Sequence, residues 1–313
     1  MTEKLFWDRP YDTTFDAKII EIESDGIILD RTLFYPEGGN QISDKGVINR
    51  GGKKFKVDHV SKKGDLIVHH ISEPFGGILK KDQVIEGEID WEYRYGVMRA
   101  HSSQHILSAV FKNLYGIDTI RANISFENVS IHINRSVKRE ELDIVLQTFL
   151  KICTVQGLQF RSKLISREEI PPDKIRGEMT TDTNLRIIEI EDYDINCCGG
   201  THIASSSEIG PIYFYEIKKG SEFKYYVGEK AIEAISRDNL EILDFATRLN
   251  SSSSEVLKKI KTQFFDLKEE KNKLILENLE LISNSPTMIL EDVKIAIIDY
   301  EVDYKTLAKA NYF

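Results

Sequence analysis

The sequence predicts an α+β protein of more than one domain, and three observations favour this class. The chain has 313 residues, which is long for one ordinary core, so two or three domains are expected. Strand patterns fill the first ninety or so residues, helical and strand patterns alternate loosely in the middle, and charged helical patterns follow Gly228. The central part shows no βαβ unit with a phosphate loop, which favours α+β over a doubly wound fold.

The first segment, residues 1–92, is predicted to form a small β-barrel. Runs such as AKIIEIESDGIILD and DLIVHHI are rich in β-branched residues and are separated by Gly, Asp and Lys turns. That texture is typical of short strands joined by tight connections.

The second segment, residues 93–228, is predicted to contain helices and strands. The run RAHSSQHILSAVFKNLYG has a helical stripe of apolar residues and a plausible C-cap at Gly116. The run VKREELDIVLQTFLKICTVQG predicts a second helix. Strands are expected in IRANISFENVSIHIN, LRIIEIEDYDI and PIYFYEIKK.

The third segment, residues 229–285, is predicted to form two helices separated at Ser251 to Ser254. In the second helix, apolar residues recur at spacings of three and four, which indicates about three and a half heptads with two polar positions in the seam. An antiparallel hairpin and a dimeric coiled coil explain the pattern equally well. Residues 286–313 are expected to form one strand in an incomplete C-terminal segment.

Composition excludes several classes of protein. The net charge is −9, which argues against sequence-blind coating of nucleic acid but leaves room for a local basic groove. No run approaches 18 apolar residues and the N-terminus lacks an apolar signal core, so no membrane association is expected. Three cysteines, two of them adjacent, make a disulfide framework improbable. A cytoplasmic, reduced protein is expected.

Two separated motifs predict a metal site. His101 and His105 are four apart on a predicted helix, which places both imidazoles on one face. Cys198 and His202 flank a Gly-Gly turn, in which both glycines can adopt positive φ and let the loop fold back sharply. Three of the seven histidines lie in these motifs. A Cys/His donor set without carboxylates favours zinc over magnesium or calcium.

Other hydrolase classes are disfavoured by their missing signatures. A zincin-type peptidase needs a glutamate directly after the first histidine of its helix motif, and here that position is Ser102. Neither a GxSxG elbow nor a Walker A pattern occurs.

Three motifs together resemble a known family. Along the chain they are TLFYPEGGNQISDKG, then HSSQHILSA, then the CCGGTH that follows RIIEIEDYDIN. The last two resemble the editing domain of alanyl-tRNA synthetase and of its free-standing, AlaX-type trans-editing relatives. The first resembles the glycine-rich segment that precedes this domain, and the three occur in the family's order. The resemblance covers residues 1 to about 228, and the helical segment after it resembles the long members of the family.

The resemblance implies a fold, a cofactor and an activity. The N-terminal barrel should be translation-factor-like, and the central domain should be a zinc-dependent editing domain with one Zn²⁺ per chain. The substrate should be tRNA(Ala) mischarged with serine or glycine, hydrolysed to free amino acid and uncharged tRNA. The metal positions fall on His101, His105, Cys198 and His202. No ATP-binding motif is seen and an aminoacylation domain is not expected, so the chain should not charge tRNA.

Further site residues are assigned from the same reasoning. Gln104 and Thr201 join the zinc ligands as catalytic candidates. Polar or glycine-rich candidates for substrate binding are Thr32, Gly38, Gly39, Thr119, Asn123 and Lys224. Zinc has two possible roles, which are to deliver hydroxide or to position and polarise the substrate. The remaining histidines are interpreted as structural or surface residues.

Two alternatives to the editing enzyme stay open. One is a catalytically weak, zinc-stabilised tRNA-binding module, and the other is a zinc hydrolase of small aminoacyl substrates. The C-terminal helices make a homodimer possible under each of them.

Overall fold

A computed structural model describes residues 1–169, 175–177, 184–284, 288–291 and 293–295. Backbone contacts divide the chain into a first unit, residues 1–235, and a second unit, residues 236–313.

The N-terminal part of the first unit is a closed barrel of six antiparallel strands, in the order β2-β3-β7-β6-β5-β8. Its strands are β2 (Thr14–Ile22), β3 (Gly26–Leu29), β5 (Gly46–Arg50), β6 (Lys53–Lys63), β7 (Leu66–Ile71) and β8 (Val84–Ile89). Buried and exposed residues alternate along β2 and β8, so one face of each strand lines the barrel core. The predicted barrel is therefore confirmed.

Short elements at the N-terminus pack against the barrel. Strand β1 (Glu3–Lys4) pairs in parallel with β4 (Arg31–Thr32), and the single-turn helix α1 (Leu5–Asp8) follows it. Phe6 of this helix is buried in the barrel core.

The glycine-rich segment between β4 and β5 forms a tight loop. Gly38 and Gln41 exchange backbone hydrogen bonds, and Gly39 and Asn40 both adopt left-handed φ angles, of 58° and 65°. Asparagine tolerates this conformation better than most residues, so a residue other than glycine can follow Gly39 here. Gln41 then pairs in parallel with Ile124, so the loop joins the edge of the central sheet.

In the central part of the first unit, helix α2 packs against a four-stranded sheet and a second helix, α3, packs against α2. The sheet has the order β14-β15-β10-β9. The elements are α2 (Trp91–Tyr115), β9 (Thr119–Ser125), β10 (Asn128–Ile133), α3 (Arg139–Lys151), β14 (Ile212–Lys218) and β15 (Glu222–Val227). Helix α2 is capped by Asp90 at its start and by Gly116 at its end, where φ is 66°. The predicted helix and its C-cap are confirmed.

A second, three-stranded sheet carries the cysteine motif. It has the order β11-β12-β13, with strands β11 (Phe160–Ser166), β12 (Asn184–Ile190) and β13 (Asp194–Cys197). Because β13 ends at Cys197, Cys198 opens the loop that leaves the sheet.

A buried ion pair joins the barrel to α2. Arg94 and Asp44 are 0% and 1% exposed in their side chains, and two guanidinium nitrogens contact the two carboxylate oxygens. Arg94 also donates to the backbone oxygens of Leu33 and Pro10, and Asp44 accepts from the Tyr35 amide. Both buried charges are thus paired with each other and hydrogen-bonded to backbone groups of the protein, as a buried ion pair requires.

The second unit continues helix α4 (Gly228–Arg248), which begins in the first unit, and contains helix α5 (Ser253–Asn284). The helices separate at the predicted serines. The C-terminal prediction of one strand is wrong where residues are described, because β16 (Met288–Leu290) pairs with β17 (Val293–Ile295) as an antiparallel hairpin. The rest of the predicted strand, residues 296–313, lies outside the described residues. None of the described helices has the length and apolarity needed to cross a membrane.

Candidate metal centre

The four predicted metal ligands meet at one point of the first unit. Ligand atoms of His101, His105, Cys198 and His202 all lie within 4.8 Å of one another. The three histidines are 2–6% exposed. Residues nearly a hundred positions apart in sequence are thus brought together in a buried pocket, as the sequence predicts.

Helix and loop each contribute two of these side chains. On α2, the rings of His101 and His105 are 5.0 Å apart, as the spacing of one helical turn dictates. On the loop, the backbone amide of Cys198 donates to the Arg186 oxygen of β12, which fixes where the loop leaves the sheet. The ring of His202 then lies 4.3 Å from that of His101.

Gly200 is required by close packing and not by backbone conformation. A Cβ atom at this position would lie 2.2 Å from Cε1 of His101 and 2.5 Å from Oε1 of Gln41. Neither Gly199 nor Gly200 is among the residues with positive φ, so the loop does not use the positive φ angles that glycine allows. The second glycine is needed because the loop backbone passes directly against the His101 ring.

The spacing of the donors fits a tetrahedral ion. Sγ of Cys198 is 3.4 Å from Nε2 of His101 and 3.3 Å from Nε2 of His202. Zinc bound at about 2.0–2.3 Å to nitrogen and sulfur gives a tetrahedron with edges of roughly 3.3–3.8 Å. These two distances match a zinc-sized ion, and the other donor pairs lie within 4.8 Å.

Burial keeps the imidazoles neutral, as metal ligands must be. It lowers the pKa of His101 to about 3, with a further contribution from the charge of Arg186. Burial also lowers the pKa of His105 and of His202 well below the ordinary value. Without a metal, burial raises the pKa of the Cys198 thiol, against the opposing effect of the Gly200 amide. A bound cation would displace that proton.

One buried nitrogen has no protein partner. Nδ1 of His105 makes no hydrogen bond to any residue that the structure describes. An orphaned polar atom inside a protein is destabilising unless something satisfies it. His202, by contrast, has its Nδ1 held at 3.1 Å from the Ser102 hydroxyl, which leaves Nε2 to face the cluster. The donor set, its spacing and this orphaned atom all fit a metal ion.

Three residues near the cluster were not singled out from the sequence. Gln41 accepts from Nδ1 of His101 at 2.7 Å. Arg186 donates to the backbone oxygens of Cys198 and Gly200, at 2.6 and 2.9 Å. Both lie inside motifs that the sequence marks, TLFYPEGGNQISDKG and RIIEIEDYDIN, but a side chain's direction cannot be derived from those motifs.

Trp7 is the third of these residues. Its indole Nε1 donates to the Gly199 oxygen at 2.8 Å, and the Arg186 guanidinium lies 5.5 Å from its ring centre. Nothing in the sequence distinguishes it from an ordinary core aromatic.

Two predicted catalytic residues lie beside the cluster. Thr201 is fully buried, and its hydroxyl accepts from Nε2 of Gln41 at 3.0 Å. Gln104 lies next to His105 on α2 and donates to the Ser108 hydroxyl, which is 2.7 Å from that of Thr119. Thr119, predicted to bind substrate, thus ends a polar chain that begins at the helix face carrying the ligands.

The other predicted substrate-binding residues occupy different surroundings. Thr32 is fully buried in the barrel and is hydrogen-bonded to His69, so it is not brought to the metal cluster. Asn123 and Lys224 lie on neighbouring sheet positions, each paired with Ser130, and Lys224 forms an ion pair with Glu216.

Gly38 and Gly39 hold the loop that carries Gln41. The backbone oxygen of Gly38 accepts from the Tyr35 hydroxyl at 2.8 Å, and the loop borders β9. They reach the cluster through Gln41 and not by their own contacts.

A cleft of about 390 Å³ opens beside the cluster. Its lining combines flat apolar surfaces with two guanidinium groups and includes Trp7, Phe160, Arg161, Arg186, Ile203 and His202. The ring of Phe160 stacks on His202 at 5.7 Å. A ligand in this cleft would therefore lie directly against one of the candidate metal ligands.

Fold and site together define a mixed α/β protein with an N-terminal barrel and a His/Cys cluster that is able to hold a metal ion. Comparison with known families agrees with this description. Residues 3–93 match the family described as tRNA synthetases class II (A), and residues 185–222 match the threonyl and alanyl tRNA synthetase second additional domain.

Individual relatives give the same result. The chain is 33% identical over 268 residues to the alanyl-tRNA editing protein AlaX-L of Pyrococcus horikoshii, covering 80% of this chain and 65% of that protein. It is 27% identical over 317 residues to an alanine–tRNA ligase of Saccharolobus islandicus, covering 95% of this chain and 35% of the ligase. It is 28% identical over 271 residues to the alanine–tRNA ligase of Ignicoccus hospitalis, covering 83% of this chain and 30% of that ligase.

The chain is therefore similar to the alanyl-tRNA synthetase editing-domain family, in its N-terminal part and in the segment that carries the cysteine motif. It spans just under two thirds of the length of the editing protein and about a third of the ligases.

Proposed function

We propose that the protein is a zinc-dependent aminoacyl-tRNA deacylase that hydrolyses the ester of tRNA(Ala) mischarged with serine or glycine. The observation that carries the proposal is the convergence of His101, His105, Cys198 and His202 within 4.8 Å, beside an open cleft. The similarity to this family supports the substrate class, because the relatives named above are an alanyl-tRNA editing protein and alanine–tRNA ligases.

The cleft beside His202 suits the acceptor end of a tRNA. Single-stranded nucleotides bind where flat side chains face bases and cations face phosphates. Trp7 and Phe160 offer the flat surfaces, and Arg161 and Arg186 offer the positive charge. Asp8 also lines the cleft and Arg161 is paired with Glu191, so the positive charge is local and modest, but it reconciles binding of a tRNA end with the net charge of −9.

Within the site, each residue has a separable task. His101, His105, Cys198 and His202 would hold the ion, and zinc when bound supplies positive charge that polarises an ester carbonyl or acidifies water. Ser102 orients His202 through its Nδ1. The chain Gln104–Ser108–Thr119 offers amide and hydroxyl groups along the adjacent helix face.

Selection of a hydroxylated amino acid follows from such polar groups. A site built to hydrogen-bond a substrate hydroxyl rejects an analogue that lacks it by a large factor, because its own polar atoms would be left unpaired. Gln104 and Thr119 are the candidates for this contact. Hydrolysis of the glycine ester, which offers no hydroxyl, rests on the resemblance to the family and not on this contact.

The proposal is tested by deacylation of serine-, glycine- and alanine-charged tRNA(Ala). We expect rapid release of serine and glycine and slow release of alanine. The variant Cys198→Ala should lose zinc and activity together, whereas its neighbour Cys197→Ala should retain both. Equal turnover of all three substrates would refute the specificity, and full activity in zinc-free Cys198→Ala would refute the metal dependence.

A catalytically weak, zinc-stabilised tRNA-binding module is the second candidate. It is favoured by one feature, since four protein ligands at once would leave no open coordination position on zinc. Tight tRNA binding without turnover of any of the three substrates would establish it. A hydrolase of small aminoacyl substrates would instead turn over serine esters that carry no tRNA.

The C-terminal helix supports association of two copies. Apolar side chains in the heptad seam of α5 are 52–67% exposed, namely Leu257, Phe264, Leu267, Leu274 and Leu281. A second α5 would cover this seam as a coiled coil. Sedimentation of the intact protein should give a dimer, and Leu267→Lys with Leu274→Lys should give a monomer that still deacylates.

A further inference from the structure

We infer that Gln41 is a positioning residue of the metal centre, and that the barrel loop thereby sets which nitrogen of His101 faces the ion. Gln41 lies in the glycine-rich loop, some sixty residues before the ligand that it contacts. It is 1% exposed and makes three side-chain hydrogen bonds, one to His101 and two to Thr201.

The orientation of the Gln41 amide is fixed by chemistry. The backbone N–H of Thr201 is an obligate donor and points at one terminal atom of the Gln41 side chain, at 3.1 Å. That atom must therefore be the oxygen, Oε1. The other terminal atom, Nε2, then donates to the Thr201 hydroxyl at 3.0 Å.

This orientation determines the tautomer of His101. Oε1 of Gln41 also lies 2.7 Å from Nδ1 of His101. Since Oε1 only accepts, Nδ1 must carry the proton. Nε2 is then unprotonated and presents its lone pair, and this is the nitrogen 3.4 Å from Sγ of Cys198. Gln41 thus directs the donor atom of His101 into the cluster.

The same amide links the two ligand pairs. His101 belongs to helix α2, whereas Thr201 lies in the loop between Cys198 and His202. Oε1 of Gln41 accepts from both, so one atom sets the distance between helix and loop. The His101 ring and the Gln41 amide occupy the space beside Gly200, since a Cβ there would meet both of them.

Partners of metal-ligating histidines typically change metal affinity by 10- to 100-fold when they are removed. We therefore expect Gln41→Met, which keeps the volume but removes the acceptor, to weaken zinc binding by about this factor. Gln41→Glu keeps the acceptor for both N–H groups and should retain zinc affinity near the wild-type value.

The experiment measures zinc affinity by chelator competition and the tautomer of His101 by ¹⁵N NMR of the imidazole, in the full chain. Under the inference, Gln41→Met binds zinc 10- to 100-fold more weakly and its zinc-free form loses the pure Nδ1–H tautomer, while Gln41→Glu behaves as wild type. Thermal unfolding of both zinc-free variants, compared with wild type, separates this effect from loss of folding.

Two results would overturn the inference. One is zinc affinity of Gln41→Met within twofold of wild type, and the other is an Nε2–H tautomer of His101 in the wild-type protein. A wild-type protein that binds no zinc would instead remove the metal centre of the proposed function. Failure of deacylation with normal zinc binding would leave the role of Gln41 intact.

Discussion

Adjacent glycines in the CCGGTH loop give a matched pair of substitutions. At Gly200, an added Cβ would lie 2.2 Å from Cε1 of His101, 2.5 Å from Nδ1 of the same ring and 2.5 Å from Oε1 of Gln41. At Gly199, an added Cβ would meet nothing within 4 Å. Because neither glycine has a positive φ, the two alanine variants differ in steric space and not in backbone strain.

The magnitude follows from overpacking in a rigid interior. Contacts of 2.2–2.5 Å force the loop or the His101 ring to move, and such insertions typically cost 1–3 kcal/mol, so we expect about 2–3 kcal/mol. The displaced group is a ligand, so the loss should appear mainly in metal binding. A loss of about 2–3 kcal/mol corresponds to roughly 30- to 150-fold in zinc affinity.

Chelator competition with purified Gly200→Ala and Gly199→Ala would measure this difference, with circular dichroism to show that both variants fold. We expect Gly199→Ala to bind zinc within about twofold of wild type, since surface substitutions are usually near neutral. Equal affinities for the two variants, or a weaker Gly199→Ala, would refute the packing argument.

Three further outcomes are expected. Replacing His105 by Ala should remove zinc, measured by elemental analysis, and abolish deacylation, because the buried site would lose one of its four candidate metal ligands. Replacing Arg94 by Met should destabilise the protein by about 3–5 kcal/mol in urea unfolding, because Asp44 would keep a buried, unpaired charge. Burial lowers the pKa of His69 to about 4, so the unfolded state binds more protons below about pH 6.5. The free energy of unfolding should therefore fall by about 3 kcal/mol from this group as pH drops from about 6.5 to about 4.

Each of these has its own control. For the first, His132→Ala removes a histidine outside the cluster and should keep zinc. For the second, the double variant Arg94→Met with Asp44→Leu should recover most of the loss, and a double variant no more stable than the single one would contradict the charge argument. For the third, His69→Gln should flatten the acid dependence, and an unchanged slope would assign it to other groups.

Sequence reasoning located the candidate metal ligands because short motifs determine where their side chains lie relative to one another. The spacing in HSSQHILSA fixes two imidazoles on one helical face, and CCGGTH brings a thiol and an imidazole to the ends of one loop. The barrel was likewise predictable from strand texture between glycines. Each of these depends on local pattern alone.

Residues whose role depends on distant packing were not predictable in this way. Gln41 reaches the cluster only because its loop pairs with Ile124 of β9. Thr32 looked like a pocket residue, yet its hydroxyl is directed into the barrel, where it contacts Nε2 of His69 at 2.8 Å and accepts from the Phe34 amide. Periodicity gives the face of a strand but not which domain approaches it.

The Asp44–Arg94 pair has a consequence for modularity. The N-terminal part supplies the carboxylate and the carbonyl groups, and the first turn of α2 supplies the guanidinium. Either part alone would therefore contain a charged group without its partner. A fragment that starts at Trp91 would lack the ion-pair partner of Arg94, and an isolated barrel would lack the ion-pair partner of Asp44. Transplanting the His/Cys cluster into another protein therefore requires moving the barrel with it.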